Sequence, residues 1–169
     1  ARRIVLPGVG AFRPPRERLR GELEAALRAA LAGGAHLLGI CVGYQALFEG
    51  SDEFNSCAAG LGVFPGRVVR FSGAGGLKVP QIGWNRLELV RPDCPLYRDI
   101  PDGSYVYFVH SYFPQPRDPS IIATRTVPPQ RRQGRPERPC TQVFSPCRRL
   151  PVVDWTACRR PVSSSRTRT

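Results

Sequence analysis

A parallel α/β sheet is the fold that residues 1–124 predict, and three observations predict it. Two short apolar runs, "RRIVLPGVGAF" and "AHLLGI", each stop at a small-residue turn. A leucine-spaced segment lies between them. The resulting order of strand, helix, strand, turn and helix needs crossovers that only parallel strands use.

Each element has its own warrant. Ile4-Val5-Leu6 reads as a buried strand that Pro7, Gly8 and Gly10 break into a glycine-rich loop. From Arg16 to Leu31, leucines recur at 19, 23, 27 and 31, which predicts one helix with Arg and Glu on its opposite face. Gly33 and Gly34 end it. "AHLLGI" is a second buried strand stopping at Cys41, and "YQALFEG" resumes helical spacing. Beyond Gly60, "VFPGRVVRF", "KVPQIGWNRLELV" and "GSYVYFVHSYF" read as strands between turns, with "SIIATRT" as one more.

The chain changes character near Thr124. Residues 1–124 carry 14 basic and 11 acidic residues, whereas 125–169 carry 11 arginines, two acids, seven prolines, three cysteines and no lysine. Residues 1–124 are therefore expected to form the folded domain. Residues 125–169 are expected to be a basic Arg/Pro-rich segment, either disordered or the product of a GC-rich reading frame shifted by one base. The chain begins at Ala1 and has no methionine, which points to an internal fragment.

Composition narrows the function. No apolar run reaches the roughly 20 residues of a membrane span, and no signal-peptide layout opens the chain, so a soluble cytoplasmic protein is expected. Six irregularly spaced cysteines without a Cys-x-x-Cys pair, and two histidines, make no zinc pattern; neither metal nor cofactor is expected.

The chemistry centres on "LLGICVGYQALF". A nucleophile elbow needs a strand that stops abruptly, a helix that starts at once, and small neighbours around a strained residue. Gly39 and Gly43 flank Cys41 at two residues on either side. The following helix start would favour a thiolate, and the Val42 N–H would face a developing oxyanion. Free cysteine is also a common core residue, and for Cys41 both readings stand. Gly8 and Gly10 of "LPGVGAF" let backbone approach a ligand, one β-α unit before the elbow and at the same sheet edge.

A cysteine nucleophile also needs a base. His36 lies at the far end of the strand that leads into Cys41 and reads as structural. His110 in "YFVHSYF" is the fallback base, although a locally bonded histidine is the plainer reading.

These segments resemble the class I, triad-type glutamine amidotransferases, a flavodoxin-like three-layer α/β fold. "LPGVGAF", "GICVGYQALFEGSDE", "GLGVFPGRVVRF", "KVPQIGWN" and "YVYFVHSYF", in that order, are similar to the glutaminase subunits of imidazole glycerol phosphate synthase in histidine biosynthesis. The resemblance covers residues 4 to about 124. It implies glutamine hydrolysis through a cysteine thioester, with ammonia passed to a (β/α)₈-barrel cyclase in a heterodimer. It implies that Cys41 is the nucleophile. Gly8 and Val9, with Val42, match the oxyanion loop and donor. Gln45 and Glu53 match side chains that hold the amino-acid end of glutamine, and Ser111 and Tyr112 the segment that holds its carboxylate. Trp84 and Tyr107 fall where that family faces its cyclase, and His110 does not match the family base.

Two departures accompany the resemblance. The family's first strand and helix, with an Asp-Tyr-Gly-type motif, have no counterpart and are expected to be missing before Ala1. The family base and its orienting acid lie in a Phe-His-Pro-Glu run, where this chain has "VFSPCRR", Val143 to Arg149. The triad is therefore expected to be incomplete and glutaminase activity low. Alternatives are another class I amidotransferase subunit, a generic cysteine hydrolase, and a non-catalytic protein whose basic tail binds nucleic acid. The last is disfavoured because the tail lacks lysine and its two aromatics, Phe144 and Trp155, make no stacking platform.

Overall fold

A computed structural model describes residues 2–55, 58–72, 78–122 and 124–127, together with the backbone of four short strands further on. Strand β1 (Arg3–Gly8) pairs in parallel with β2 (His36–Cys41), with Gly8 opposite Cys41. The expected strand–helix–strand unit is therefore present, and its two glycine-flanked ends sit side by side.

The single helix expected between them is two. Helix α1 (Arg13–Arg18) and helix α2 (Glu22–Ala32) meet at Gly21, whose φ of 79° no helix contains. The leucine stripe is broken accordingly. Leu19 and Leu27 are buried, but Leu23 is 55% exposed. The polar face is broken too: Arg16, four residues after buried Phe12, points inward at 6% exposure. Its guanidinium pairs with Glu24 at 2.7 Å and donates to the Gly60 carbonyl at 3.3 Å.

The second helix is also shorter than its spacing predicts. Helix α3 (Val42–Gln45) is one turn, and Phe48–Ser51 form strand β3. The apolar run Ala46-Leu47-Phe48 is buried whichever element it joins, so periodicity over so few residues could not separate the two. Strand β4 (Ala58–Ala59) pairs antiparallel with β3, and β5 (Phe64–Arg70) pairs parallel with it.

The later runs contain strands, but "SIIATRT" is not a single strand: its start lies in a turn and only its end in a strand. Strand β6 (Gln81–Leu89) pairs antiparallel with β7 (Tyr105–His110). The run "YVYFVHSYF" breaks at Ser111, and β8 (Tyr112–Pro116) crosses to the other sheet to pair with β5. After a turn at Pro119–Ile121, β9 (Thr124–Val127) pairs with β6. Further on are β10 (Cys140–Gln142), β11 (Ser145–Cys147), β12 (Leu150–Val152) and β13 (Cys158–Arg159). Strand β10 pairs with β9, β11 with β12, and β13 with β7. Phe144 and Trp155 lie outside the described residues.

The main core lies between the α1–α2 layer, β2 and the β3–β5 sheet. Phe12, Leu37, Tyr44, Leu47, Phe48 and Val68 are all at most 1% exposed. Tyr44 and Phe48 meet edge to face at 5.5 Å. The core therefore packs directly beneath the turn that carries Cys41.

Candidate active site

The Cys41 turn is built by exclusion of side chains. Cys41 ends β2 and caps α3 with φ 54° and ψ −121°, a region that a residue with a Cβ rarely adopts. Such a conformation costs of order 1–3 kcal/mol and persists only where the surroundings impose it. The surroundings here are three glycines. A Cβ on Gly39 would lie 2.6 Å from the Tyr44 Cα, and one on Gly43 would lie 1.9 Å from the Leu6 carbonyl oxygen. A Cβ on Gly8 would lie 2.6 Å from the Gly43 nitrogen. Strand β1, strand β2 and the α3 turn thus touch backbone to backbone. The Gly-x-Cys-x-Gly pattern is the sequence signature of that contact.

Cys41 is half-buried and in no disulfide. Val42, buried, opens α3, and its N–H is one of the donors that a helix start leaves unsatisfied by its own backbone. Because α3 is a single turn, it offers a group at its start these first N–H groups rather than a long row of aligned peptides. Val9 stands opposite in the glycine loop at 85% exposure, and Gly10 follows at φ 81°.

The residues matched to glutamine binding gather into two groups. Gln45, one turn after Cys41, donates from Nε2 to the Tyr112 carbonyl at 3.5 Å. The same carbonyl is 3.1 Å from His110 Nδ1. A carbonyl only accepts, so Nδ1 carries the proton and Nε2 the lone pair of a neutral ring. Burial lowers the His110 pKa, opposed by that hydrogen bond, so the neutral ring is favoured. Phe71 packs edge-on against it at 5.0 Å. The Ser111 carbonyl accepts the Phe71 N–H at 3.0 Å. Gln45, Tyr112, Ser111 and His110 are therefore one cluster where β7 turns into β8.

Glu53 belongs to the second group. It opens a short 3₁₀ turn (Glu53–Asn55), and its carboxylate Oε2 accepts the Phe12 N–H at the end of the glycine loop. Phe12 is a site residue that sequence reasoning passed over, since nothing local marks a backbone donor. His36, at the start of β2, is five residues back along an extended strand, about 17 Å from Cys41.

Trp84 and Tyr107 face each other across β6 and β7, rings at 5.4 Å. Exposed Ile82, Tyr105 and Val109 lie on the same two strands, making an apolar surface. Among the described residues no helix is long and apolar enough to cross a membrane. No group of three or more His, Cys, Asp or Glu there could hold a metal ion.

No family model matches the chain. The imidazole glycerol phosphate synthase subunit HisH of Acaryochloris marina is 50% identical over 121 residues, covering 71% of this chain and 56% of that protein.

The chain is similar to HisH.

HisH of Synechococcus sp. strain JA-3-3Ab is 48% identical over 124 residues, covering 73% of this chain and 56% of its own length. HisH of Synechocystis sp. PCC 6803 is 47% identical over 125 residues, covering 73% and 59%. The chain thus spans somewhat over half the length of the curated relatives it matches. A solved structure titled as a glutamine amidotransferase superposes with a TM-score of 0.58 at 16% identity, covering 89% of this chain and 68% of that one. That likeness shows the fold: the α/β domain of a glutamine amidotransferase.

Proposed function

We propose that this chain is the elbow-bearing part of a glutaminase subunit that supplies ammonia to a cyclase making imidazole glycerol phosphate. The observation that carries the reading is the strained Cys41 turn, enclosed by Gly8, Gly39 and Gly43. Together with the HisH likeness, it favours an enzyme over the core-cysteine reading.

The chemistry is acyl transfer. The Cys41 thiolate attacks the side-chain amide carbon of glutamine. The oxygen gains charge near the N–H groups of Val42 and the Gly8–Val9 loop. The C–N bond breaks, and ammonia leaves once its nitrogen is protonated. Water then hydrolyses the thioester to glutamate and the thiol. Gln45, Glu53, Ser111 and Tyr112 hold the amino-acid end.

The proton transfers need a base. His36 and His110 are the chain's histidines, and neither matches the family base. We therefore expect this chain by itself to bind and trap glutamine analogues but to turn glutamine over slowly, since losing a triad member costs several orders of magnitude. The apolar β6–β7 surface around Trp84 and Tyr107 is the face offered to a (β/α)₈ cyclase. A cytoplasmic heterodimer completes this reading. The boundary near Thr124 belongs to it as well, supported by the change in charge there.

The test uses a γ-glutamyl chloroketone, whose carbon forms a thioether with Cys41 as chloride leaves. Mass spectrometry is expected to find one adduct on Cys41, slowed by competing glutamine and absent in Cys41→Ser. Labelling that ignores glutamine refutes the reading. Cys41-dependent glutamine hydrolysis at ordinary enzyme rates, about 1–1000 per second, refutes the missing base and promotes His110.

A further inference from the structure

The contact between Glu53 and Phe12 joins the two ends of the site. We propose that Glu53 is a positioning residue for the glycine loop, holding Gly8–Gly10 in register with the elbow through the Phe12 N–H; the proposal rests on the glutaminase reading of Cys41.

The bond spans 41 residues of sequence, so neither segment's local structure creates it. It is anchored at both ends. Phe12 is 1% exposed, its ring fixed in the core. Glu53 donates its own N–H to Ser51 Oγ at 3.1 Å, and Ser51 is fully buried in β3. Between Gly8, wedged against Val42 and Gly43, and Phe12, the loop has little to hold it. Val9 is 85% exposed, and a Cβ on Gly10 would touch nothing within 4 Å. A loop loose in its middle keeps its N–H groups aimed only if its ends are fixed. Gly8 is fixed by the elbow and Phe12 by Glu53.

Phe54 gives a second, independent sign. It is 79% exposed and sits at φ 52°, ψ 32°, where a bulky residue is held only by its surroundings. That conformation follows directly on Glu53 and turns the chain away once the carboxylate has met Phe12. A substrate ammonium bound at Glu53 would then touch the same carboxylate that fixes the oxyanion loop, so occupancy at one end of glutamine would be felt at the other.

Hydrogen exchange on the full chain, followed by mass spectrometry, tests this in peptides spanning residues 8–13. Glu53→Gln keeps an acceptor of the same length and is expected to leave exchange within about twofold of wild type. Glu53→Asp, one methylene short, and Glu53→Ala are expected to raise it about tenfold, with the β5 peptide 64–70 unchanged. Should Glu53→Ala lose protection in β5 as well, the Asp and Gln pair decides. Unchanged exchange in Glu53→Asp overturns the proposal, as does an equal rise in Glu53→Gln. The glutaminase reading fails separately, if the wild-type chain takes no chloroketone at Cys41.

Discussion

One methyl group at Gly43 tests the elbow most directly. In Gly43→Ala the new Cβ would stand 1.9 Å from the Leu6 carbonyl oxygen, 2.7 Å from the Leu6 carbonyl carbon and 2.9 Å from that of Pro7. All three are backbone atoms of β1, so no side chain can swing aside. Restoring an ordinary contact requires β1 to retreat by about 1.5 Å or more. That retreat strains the parallel pairing of Leu6 with Gly39 and Gly8 with Cys41, and it moves the glycine loop that follows Gly8. Overpacking against a rigid wall costs typically 1–3 kcal/mol, and backbone walls belong at or above the top of that range, so a loss of about 3 kcal/mol is expected. With a urea slope near 2 kcal/mol/M, the unfolding midpoint falls by about 1.5 M. Gly10→Ala is the control, because its Cβ meets nothing and its only penalty is φ 81°. It is expected to cost about 1–2 kcal/mol. The reasoning is refuted if Gly43→Ala unfolds within about 0.5 M of wild type, or if Gly10→Ala proves the more harmful.

The α1–α2 ion pair predicts an asymmetry: Glu24→Ala leaves the buried Arg16 guanidinium uncompensated and is expected to cost about 3–5 kcal/mol in urea unfolding. Arg16→Met instead removes a guanidinium whose Nε and Nη1 have no partner, and Glu24 keeps Arg28 at 2.8 Å, so it is expected to be neutral or stabilising. Burial lowers the folded pKa of His110 below 6.5, so its contribution is fully present above the unfolded value and is lost as pH falls from about 6.5 through the lowered folded pKa. Unfolding midpoints measured between pH 5 and 7.5 are expected to fall on acidification, and His110→Asn to flatten the part of that slope above the carboxylate range. Trp84→Ala is expected to weaken capture by a (β/α)₈ cyclase at least tenfold in a titration, as an exposed aromatic anchor would, while leaving Cys41 labelling by the chloroketone unchanged.

The legible parts of the molecule are those where one residue type answers to one physical demand. Gly39 and Gly43 could be read as an elbow because only glycine lets β1, β2 and α3 touch through their backbones, and their spacing about Cys41 is local. The leucine stripe was legible in part. Leu19 and Leu27 are buried as their period requires, but Gly21 adds a turn of chain that rotates Leu23 out to solvent and leaves Arg16 inside. A glycine within a helical pattern can be tolerated or can end the helix, and tertiary packing decides which. The stretch after Gln45 failed for a related reason: Leu47 and Phe48 are buried under either assignment, so the core constrains them without fixing their period.

The site divides along the same line. Residues adjacent in sequence to the elbow were accessible, whereas Phe12 with Glu53, and Gln45 with Tyr112 and His110, are brought together by chain reversals of 41 to 67 residues that no spacing rule reports. The carbonyl of Tyr112 shows what this implies for catalysis. By engaging His110 Nδ1 it commits that ring's lone pair to Nε2, and burial favours the neutral form; both are properties a general base needs. The same carbonyl also receives Gln45, so on the proposed reading the imidazole belongs to the wall expected to hold the amino-acid end of glutamine. A base must instead move a proton between the nucleophile and the leaving amide nitrogen, at the opposite end of that substrate. His110 therefore serves best as a support for the Tyr112 carbonyl. On the proposed reading, neither His36 nor His110 is expected to be the base that Cys41 needs.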